Sequence, residues 1–292
     1  MSKKVLFIIN PVSGTQDKEE LDQIIENFCE SNGIRHAIFK TTGENDAEKI
    51  IQEISEYQPE VVFAGGGDGT VKLVAEQLLG SEISLGILPL GSANGFATDL
   101  GLPAEIDENL KLIEHGKRQK TDAIKVNGEL CLHLSDIGFN AELIKEFERE
   151  GQRGMIGYAK SFFKKIGKIS AAKFDISTDS GHFQHKAEML VIANASKYGT
   201  GAVVNPRSNM QDGLFELCVF KPIPWYRFFS LTWHSFVGRL EEFRYFSIHQ
   251  TQRATIQLKK PRTLQVDGEI IGNVKKVEVE MLKGALNILI TR

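Results

Sequence analysis

The residues best suited to chemistry are Gly65-Gly66-Gly67-Asp68-Gly69-Thr70, set between an apolar run at 61–64 and a helical pattern that begins at Val71. A strand that enters a helix through glycines suits phosphate. Without Cβ atoms the backbone N–H groups can approach anionic oxygens, and the helix N-terminus adds partial positive charge. Asp68 in such a loop would act on a magnesium ion or orient a nucleotide. A tight turn capped by Thr70 is the structural alternative, and three consecutive glycines ahead of Asp-Gly-Thr favour phosphate over it. Neither the Gly-x-x-x-x-Gly-Lys-Ser/Thr loop nor the Gly-x-Gly-x-x-Gly turn is present here. A second turn, Pro89-Leu90-Gly91-Ser92-Ala93-Asn94-Gly95-Phe96-Ala97, follows the next apolar run, and a third, Asn10-Pro11-Val12-Ser13-Gly14, follows the first. Loops at the carboxyl ends of adjacent parallel strands share one crevice, so the three together would form a triphosphate cradle. Ser92 and Asn94 serve equally well as helix N-caps.

Three such loops need a parallel sheet to carry them. Apolar runs at 5–9, 36–40, 61–64 and 84–88 alternate with helical patterns, among them Leu21, Ile24, Ile25 and Phe28, then Ala47, Ile50, Ile51 and Ile54. That alternation predicts an α/β nucleotide-binding domain over residues 1–122. Beyond about Asp122 strand-type runs dominate, at 130–134, 173–178, 189–194, 214–220, 254–258, 263–266, 274–281 and 285–290. A β-rich second domain is therefore expected over 123–292, interrupted by helical patterns at 154–169 and 225–244. No repeat or low-complexity linker marks the boundary, which rests on the change of pattern. Within the second domain, Asp212-Gly213 reads as a turn before a strand, and Asp267-Gly268 between apolar runs is a hairpin signal. Trp225, Phe228, Phe229, Trp233, Phe236, Leu240 and Phe243 recur at helical spacing and form a face expected to pack in the core. Any exposed part of that face would be a lipid-docking surface. Lys160, Lys164, Lys165 and Lys168 are either a solvated helix face or contacts for anionic headgroups.

Composition narrows the classes. A chain of 292 residues is long enough for two domains, and 41% hydrophobic with 25% charged residues is the balance of an ordinary globular protein, folded throughout. The net charge of -3 gives nucleic acid no electrostatic footing, so no nucleic-acid partner is expected. Cys29, Cys131 and Cys218 show no paired metal-ligand spacing and fit a reducing cytoplasm. The opening MSKKVLFIINP reaches a polar Asn-Pro after five apolar residues, which makes it a buried strand rather than a signal peptide. Even residues 225–240 contain Arg227, His234 and Arg239, and no apolar stretch of 18 residues exists to span a membrane. The expected place is the cytoplasm, with peripheral contact at a membrane; the oligomeric state is left open.

In joint order and spacing, Asn10-Pro11 with Ser13-Gly14, then Gly66 through Thr70, then the turn at 89–97 resemble the catalytic domain of diacylglycerol kinases. The bacterial soluble members, lipid kinases related to the sphingosine kinases, match best. The resemblance continues through Asp122, the SDIGFNA stretch at 135–141, residues 194–201, Gln211-Asp212-Gly213-Leu214 and Gln265-Val266-Asp267-Gly268-Glu269, so it covers nearly the whole chain. Two positions depart from the family. Gly95 stands where these kinases usually carry Asp, which leaves lipid or nucleotide preference open, and Ser92 replaces the commoner Thr while keeping the hydroxyl.

The resemblance implies a NAD kinase/diacylglycerol kinase-like fold: an α/β nucleotide domain, a β-sandwich domain that binds lipid and metal, and ATP in the cleft between them. It implies ATP-dependent phosphorylation of a lipid hydroxyl. Asn10, Pro11, Val12, Ser13, Gly14, Thr41, Gly66, Gly67, Asp68, Gly69, Thr70 and Ser92 would line the nucleotide site. Asp212, with backbone carbonyls near Asn209 and Leu214, would hold a structural Mg2+ ion, for which hard oxygen ligands are suited. Glu269 would accept the proton of the acceptor hydroxyl, with Asp267 beside it on magnesium or on that hydroxyl, and Asp68 would complete the catalytic carboxylates. An NAD kinase is the enzymatic rival, since that family also resembles a Gly-Gly-Asp-Gly-Thr protein with a β-rich second domain. The Asn-Glu pair expected after its second turn is missing, however. A catalytically silent nucleotide or lipid binder is the rival from another class, and the intact Asp68 and Glu269 argue against it. Diacylglycerol, monoacylglycerol, phosphatidylglycerol, a sphingoid base and a polyprenol all remain open as acceptors.

Overall fold

The structure is a computed structural model that describes residues 3–14, 18–138, 171–198 and 201–291. Of the features expected above, Phe139, Asn140 and Ala141, the helical pattern at 154–169 with its four lysines, residues 199–200 and the side chain of Trp225 lie outside the described residues. The chain forms two compact units, Met1–Thr121 with Gly284–Arg292, and Asp122–Lys283.

In the first unit β1 (Lys4–Ile9), α1 (Lys18–Ser31), β2 (Arg35–Lys40), α2 (Asp46–Tyr57), β3 (Val61–Gly66), α3 (Asp68–Leu78) and β4 (Ser84–Pro89) alternate. Three short helices follow, α4 (Gly95–Asp99), α5 (Ile106–Leu110) and α6 (Leu112–His115). β1 lies between β2 and β3, and β4 lies outside β3, all parallel. Asn287 and Ile288 of the chain's last strand run parallel to β4 opposite Ser84 and Leu85. Strands covered by helices on both faces must be apolar on both, which is why β1 and β3 are nearly continuous hydrophobic runs with buried side chains. Phe7 and Phe63 stack across them with centroids 5.3 Å apart, a pairing that contributes about 1 kcal/mol beyond area burial. Gly86 makes room for that stack, because a Cβ there would stand 2.5 Å from the Phe63 ring.

The second unit is antiparallel. β5 (Lys117–Val126) turns into β6 (Glu129–Cys131), followed by β7 (Leu134–Gly138), β8 (Ala172–Thr178), β9 (Gly181–Ala187), β10 (Met189–Ala193) and β11 (Phe215–Phe220). Helix α7 (Phe228–Phe236) precedes β12 (Phe246–Thr251), β13 (Arg253–Val266) and β14 (Glu269–Ile290). The strand order is β12-β11-β10-β7-β13-β14. β13 serves two layers: its first half pairs with β8, as Ala254 with Thr178, and its second half pairs with β7, as Leu264 with Ile137. An irregularity between Gln257 and Arg262 makes the change possible. Alternation along the strands separates two cores. Leu190, Ile192, Leu217 and Val219 join one, while Val191, Ala193, Cys218 and Phe220 join a second with Leu240 and Phe243. Cys29, Cys131 and Cys218 are buried and form no disulfide. No helix among the described residues is long and apolar enough to cross a membrane.

Several sequence expectations need correcting. Residues 284–292 belong to the first unit rather than the second, because Leu286 and Ile288 are buried and the strand there pairs with β4. The run at 130–134 is broken at Leu132 and His133, and the paired runs 254–258 with 263–266 and 274–281 with 285–290 are single strands, β13 and β14. β5, β9 and β12 were not expected as strands. The helix anticipated over 225–244 is a 3-10 turn at Trp225–Arg227, then α7, then another 3-10 turn at Leu240–Glu242, with Gly238 at φ 69° between the last two. Its aromatic face divides accordingly. Leu240 and Phe243 are core residues, whereas Phe229, Trp233 and Phe236 are exposed.

Candidate active site

Because β1, β3 and β4 are parallel neighbours, the loops at their carboxyl ends lie side by side, and backbone hydrogen bonds knit them. The Asn10 N–H donates to the Gly65 carbonyl at 2.8 Å and the Leu90 N–H to that of Gly66 at 3.0 Å. The Asn10 amide donates to Thr70 Oγ1 at 3.2 Å. Backbones approach here more closely than side chains would permit: a Cβ on Gly91 would stand 2.6 Å from Gly67 Cα, and one on Gly14, at φ +65°, 2.1 Å from the Leu90 oxygen. Asp68, the first residue of α3, reaches across to the next loop. Its Oδ2 accepts the Gly95 N–H at 3.0 Å and its Oδ1 the Phe96 N–H at 3.1 Å. These are the first two residues of α4, whose N-cap residue Asn94 makes no side-chain cap bond, so Asp68 caps that helix from another loop. Asn94 holds its own turn instead, accepting the Gly91 N–H at 2.9 Å and donating to the carbonyls of Pro89 and Gly91. Ser92 is exposed on the same turn.

Beside this junction is a concavity of about 240 Å³. Asn10, Pro11, Val12, Thr41, Gly69 and Thr70 line it, and so do Thr42, Gly43, Asp46 and Leu73. Six of the residues expected at a nucleotide site thus meet on one surface, while Ser13, Gly14, Gly66, Gly67, Asp68 and Ser92 are outside its lining. Sequence reasoning missed the turn at 42–46. Asp46 organises it by accepting the Thr42 N–H at 2.8 Å and the Gly43 N–H at 2.7 Å. Partial burial works to raise the Asp46 carboxyl, and the donations from Thr42 and Gly43, with Lys49 nearby, hold it below its ordinary value. The available signal was a Thr-Gly pair followed by Asp at the start of a helical pattern.

In the second unit both Asp-Gly pairs are turns. Asp267 and Gly268 have φ of 49° and 89°, the geometry of a two-residue I′ hairpin turn between β13 and β14. The Asp267 carboxylate accepts N–H groups from Leu132 at 2.8 Å, His133 at 3.0 Å and Leu134 at 3.1 Å, with Cys131 Sγ at 3.4 Å. Those bonds take up the backbone donors that would otherwise continue the strand through 132 and 133. Through these bonds Asp267 ties the turn to the 131–134 segment. Gln265, buried, bridges the same turn to Asp136: its amide donates to Asp136 Oδ2 at 2.6 Å and its carbonyl accepts the Gly268 N–H at 2.7 Å. Tyr198 donates to the same Asp136 oxygen at 3.1 Å. Asn194 donates to the carbonyls of Asp122 and Leu132, and Asp122 accepts the Gly213 N–H at 2.7 Å. Glu269 opens β14 directly after the turn and is exposed.

Two family models match the chain: the diacylglycerol kinase catalytic domain over residues 4–126, and the YegS C-terminal NAD kinase beta sandwich-like domain over residues 137–290. A protein of Escherichia fergusonii named probable lipid kinase YegS is 31% identical over 222 residues, 74% of this chain and 73% of that one. The chain belongs to this lipid kinase family. The protein of the same name from Salmonella newport is 30% identical over the same shares. Among solved structures, a diacylglycerol kinase from Bacillus anthracis str. Sterne superposes with a TM-score of 0.76 at 21% identity. A further chain from that organism superposes with 0.81 at 24%, and both matches cover 99% of this chain and 97% of the other. At that identity the likeness is one of fold, an α/β domain with parallel strands and a β-sandwich-like domain.

Kinases of this kind transfer a phosphoryl group, and such chemistry commonly uses a hard cation. Among the described residues no group of three His, Cys, Asp or Glu is placed to hold one. A magnesium ion that keeps several of its waters needs fewer protein ligands, one or two carboxylates with carbonyl oxygens. The turn at 209–214 has that donor chemistry. Asp212 Oδ1 accepts the Leu214 N–H at 2.9 Å, its own N–H faces the Asn209 carbonyl at 3.4 Å, and its side chain is half-exposed.

Proposed function

We propose that this lipid kinase transfers the γ-phosphoryl group of ATP to a hydroxyl on a lipid. The observation that carries this reading is the junction of three strand-end loops in the first unit, with the concavity beside it lined by Asn10, Thr41, Gly69 and Thr70. Backbone N–H groups at the start of α3, with Gly69 in the lining, suit the polyphosphate. Asp68 ties the α4 turn to the start of α3, and the 42–46 turn adds Thr42, Gly43 and Asp46 to the concavity's lining. Glu269 takes the proton of the acceptor hydroxyl. Its exposure leaves it accessible to an acceptor, and Asp267 and Gln265 hold the turn from which it projects. Asn209, Asp212 and Leu214 would hold a structural magnesium ion, which when bound supplies local charge neutralisation and rigidity to the 209–214 turn.

The test is transfer of labelled phosphate from ATP to an extracted lipid pool, with the product identified by mass spectrometry and NAD as control acceptor. A phosphorylated lipid is expected. Efficient phosphorylation of NAD with no transfer to any lipid would overturn the acceptor assignment.

A further inference from the structure

Helix α7 presents two unlike faces. On one side Phe228 and Leu231 pack against the core that includes Leu240 and Phe243, and the buried Ser235 donates its hydroxyl to the Val203 carbonyl at 2.7 Å. The helix is thereby anchored in one orientation. On the other side Phe229, Trp233 and Phe236 are 83%, 68% and 61% exposed, at spacings of four and three residues that place them on one stripe, and Tyr226 in the 3-10 turn just before the helix is 59% exposed. A stripe of three large aromatics held outward by an anchored helix, with a fourth exposed in the turn before it, is not the ordinary scatter of single surface hydrophobics.

The surroundings of the stripe decide what covers it. Residues 221–245 carry Lys221, Arg227, Arg239 and Arg244 against Glu241 and Glu242, a local excess of positive charge in a chain whose net charge is -3. Glu241 is further neutralised by an ion pair with Arg207, and Glu242 by Arg239 at 3.9 Å. Arg227, Arg239 and Arg244 are exposed. Outward aromatics in a segment with exposed arginines match the interface of an anionic bilayer, where Trp and Tyr rings sit at headgroup depth and each basic residue adds attraction to the surface.

We infer that the Phe229, Trp233 and Phe236 face of α7, with Tyr226 of the turn before it, docks this protein onto anionic phospholipid bilayers. This deepens the lipid-kinase proposal, from which it takes only that the acceptor resides in a membrane. The docking itself requires neither nucleotide nor turnover.

The test is co-sedimentation of the full chain, without ATP, with vesicles of phosphatidylcholine alone and of equal parts phosphatidylcholine and phosphatidylglycerol. Tryptophan emission is followed in parallel. Binding to the anionic vesicles, weakened by salt and accompanied by a blue shift, is expected. Phe229→Ser with Phe236→Ser should lower the partition coefficient by at least about tenfold, the effect of withdrawing one large apolar side chain's worth of burial. Arg227→Glu with Arg244→Glu should abolish the preference for anionic over neutral vesicles. Because all four positions are exposed, the variants should keep wild-type circular dichroism and wild-type turnover on a short-chain acceptor dispersed in water. If the Phe229/Phe236 variant binds vesicles as wild type does, the inference is overturned. It is equally overturned if wild type ignores vesicles and instead shows concentration-dependent self-association that this variant abolishes. Vesicle binding without any kinase activity would sustain the docking surface and sink the proposed reaction, so the two failures are distinguishable.

Discussion

Replacing Asp68 by alanine removes two hydrogen bonds that join separate loops, those from the Gly95 and Phe96 N–H groups at 3.0 and 3.1 Å. Both donors are on buried residues at the start of α4, and no N-cap side chain is there to replace the carboxylate. A hydrogen bond to an ionised group contributes about 1.5–3 kcal/mol, and the half-exposure of Asp68 argues for the lower end, so the pair is estimated at about 3 kcal/mol. At roughly 2–4 °C per kcal/mol for a protein of this size, the melting temperature should fall by about 6–12 °C. Asp68→Asn keeps one acceptor oxygen and should lose about half as much. Thermal unfolding by circular dichroism measures both. Repeating the scans with saturating ATP adds the functional arm: ATP at about 100 times its Kd stabilises a binding-competent protein by ~2.7 kcal/mol, and that increment should decline from wild type to Asn to Ala. A melting temperature for Asp68→Ala within about 1 °C of wild type would show that the α4 turn holds itself and would refute the reasoning.

Glu269→Gln should reduce turnover by about 10²-fold to 10⁴-fold with an unchanged fold, because the residue is exposed; a loss under about threefold at unchanged ATP affinity would make it structural. Asp212→Ala should abolish the magnesium-dependent rise in melting temperature measured without nucleotide, and a wild-type protein indifferent to magnesium would remove the ion from the 209–214 turn. His185 and His249 face each other with Nε2 atoms 3.1 Å apart, and Phe183 stacks on His249. Burial lowers the pKa of both; the charge of His249 adds to this at His185, and Lys221 adds at both. The unfolded chain therefore takes up protons near the ordinary histidine pKa while the folded pair resists. Stability present above that pKa is lost as pH falls through it toward the folded values. Urea midpoints across that range should drop on acidification for wild type and far less for His185→Gln with His249→Gln; parallel curves would contradict the assignment.

The first unit was legible because β1, β3 and β4, parallel strands with nearly continuous burial, leave apolar runs that need no partner to be recognised. At the edge, β2 is half-buried and still keeps a short apolar run. The runs at 5–9, 36–40, 61–64 and 84–88 became β1 to β4 with ends moved by at most two residues. The second unit was less legible where pairing overrides composition. β9, with the sequence GHFQHKA, is mostly polar and exists as a strand through its pairing with β8. The break at Leu132 and His133 lies in a run that reads as uninterrupted strand, and its cause is the Asp267 carboxylate, more than 130 positions away. The aromatic period at 225–244 was visible, but a period cannot tell which side of a helix finds a core. Ser235 and Leu231 decided that, through contacts with distant segments.

The family motifs of the second unit mostly bond to one another. Asp122 engages Gly213, Asn194 engages Asp122 and Leu132, Asp267 engages 132–134, and Gln265 engages Asp136 and Gly268. Read singly, each motif is a turn or a strand end, which explains why Asp267-Gly268 looks like an ordinary hairpin and in fact is one. Its turn conformation requires positive φ at both central residues, which Gly268 tolerates and Asp267 adopts while its carboxylate is held by three backbone donors. Such a turn determines where β14 starts and so where the side chain at position 269 projects. Of the two carboxylates in the motif, Asp267 bonds to the framework at 131–134 and Glu269 is exposed directly after the turn. A proton acceptor must be reachable by the acceptor hydroxyl, and a positioning residue must not move. On the proposed reaction, Glu269 meets the first requirement through its exposure and Asp267 the second through its bonds to 132–134.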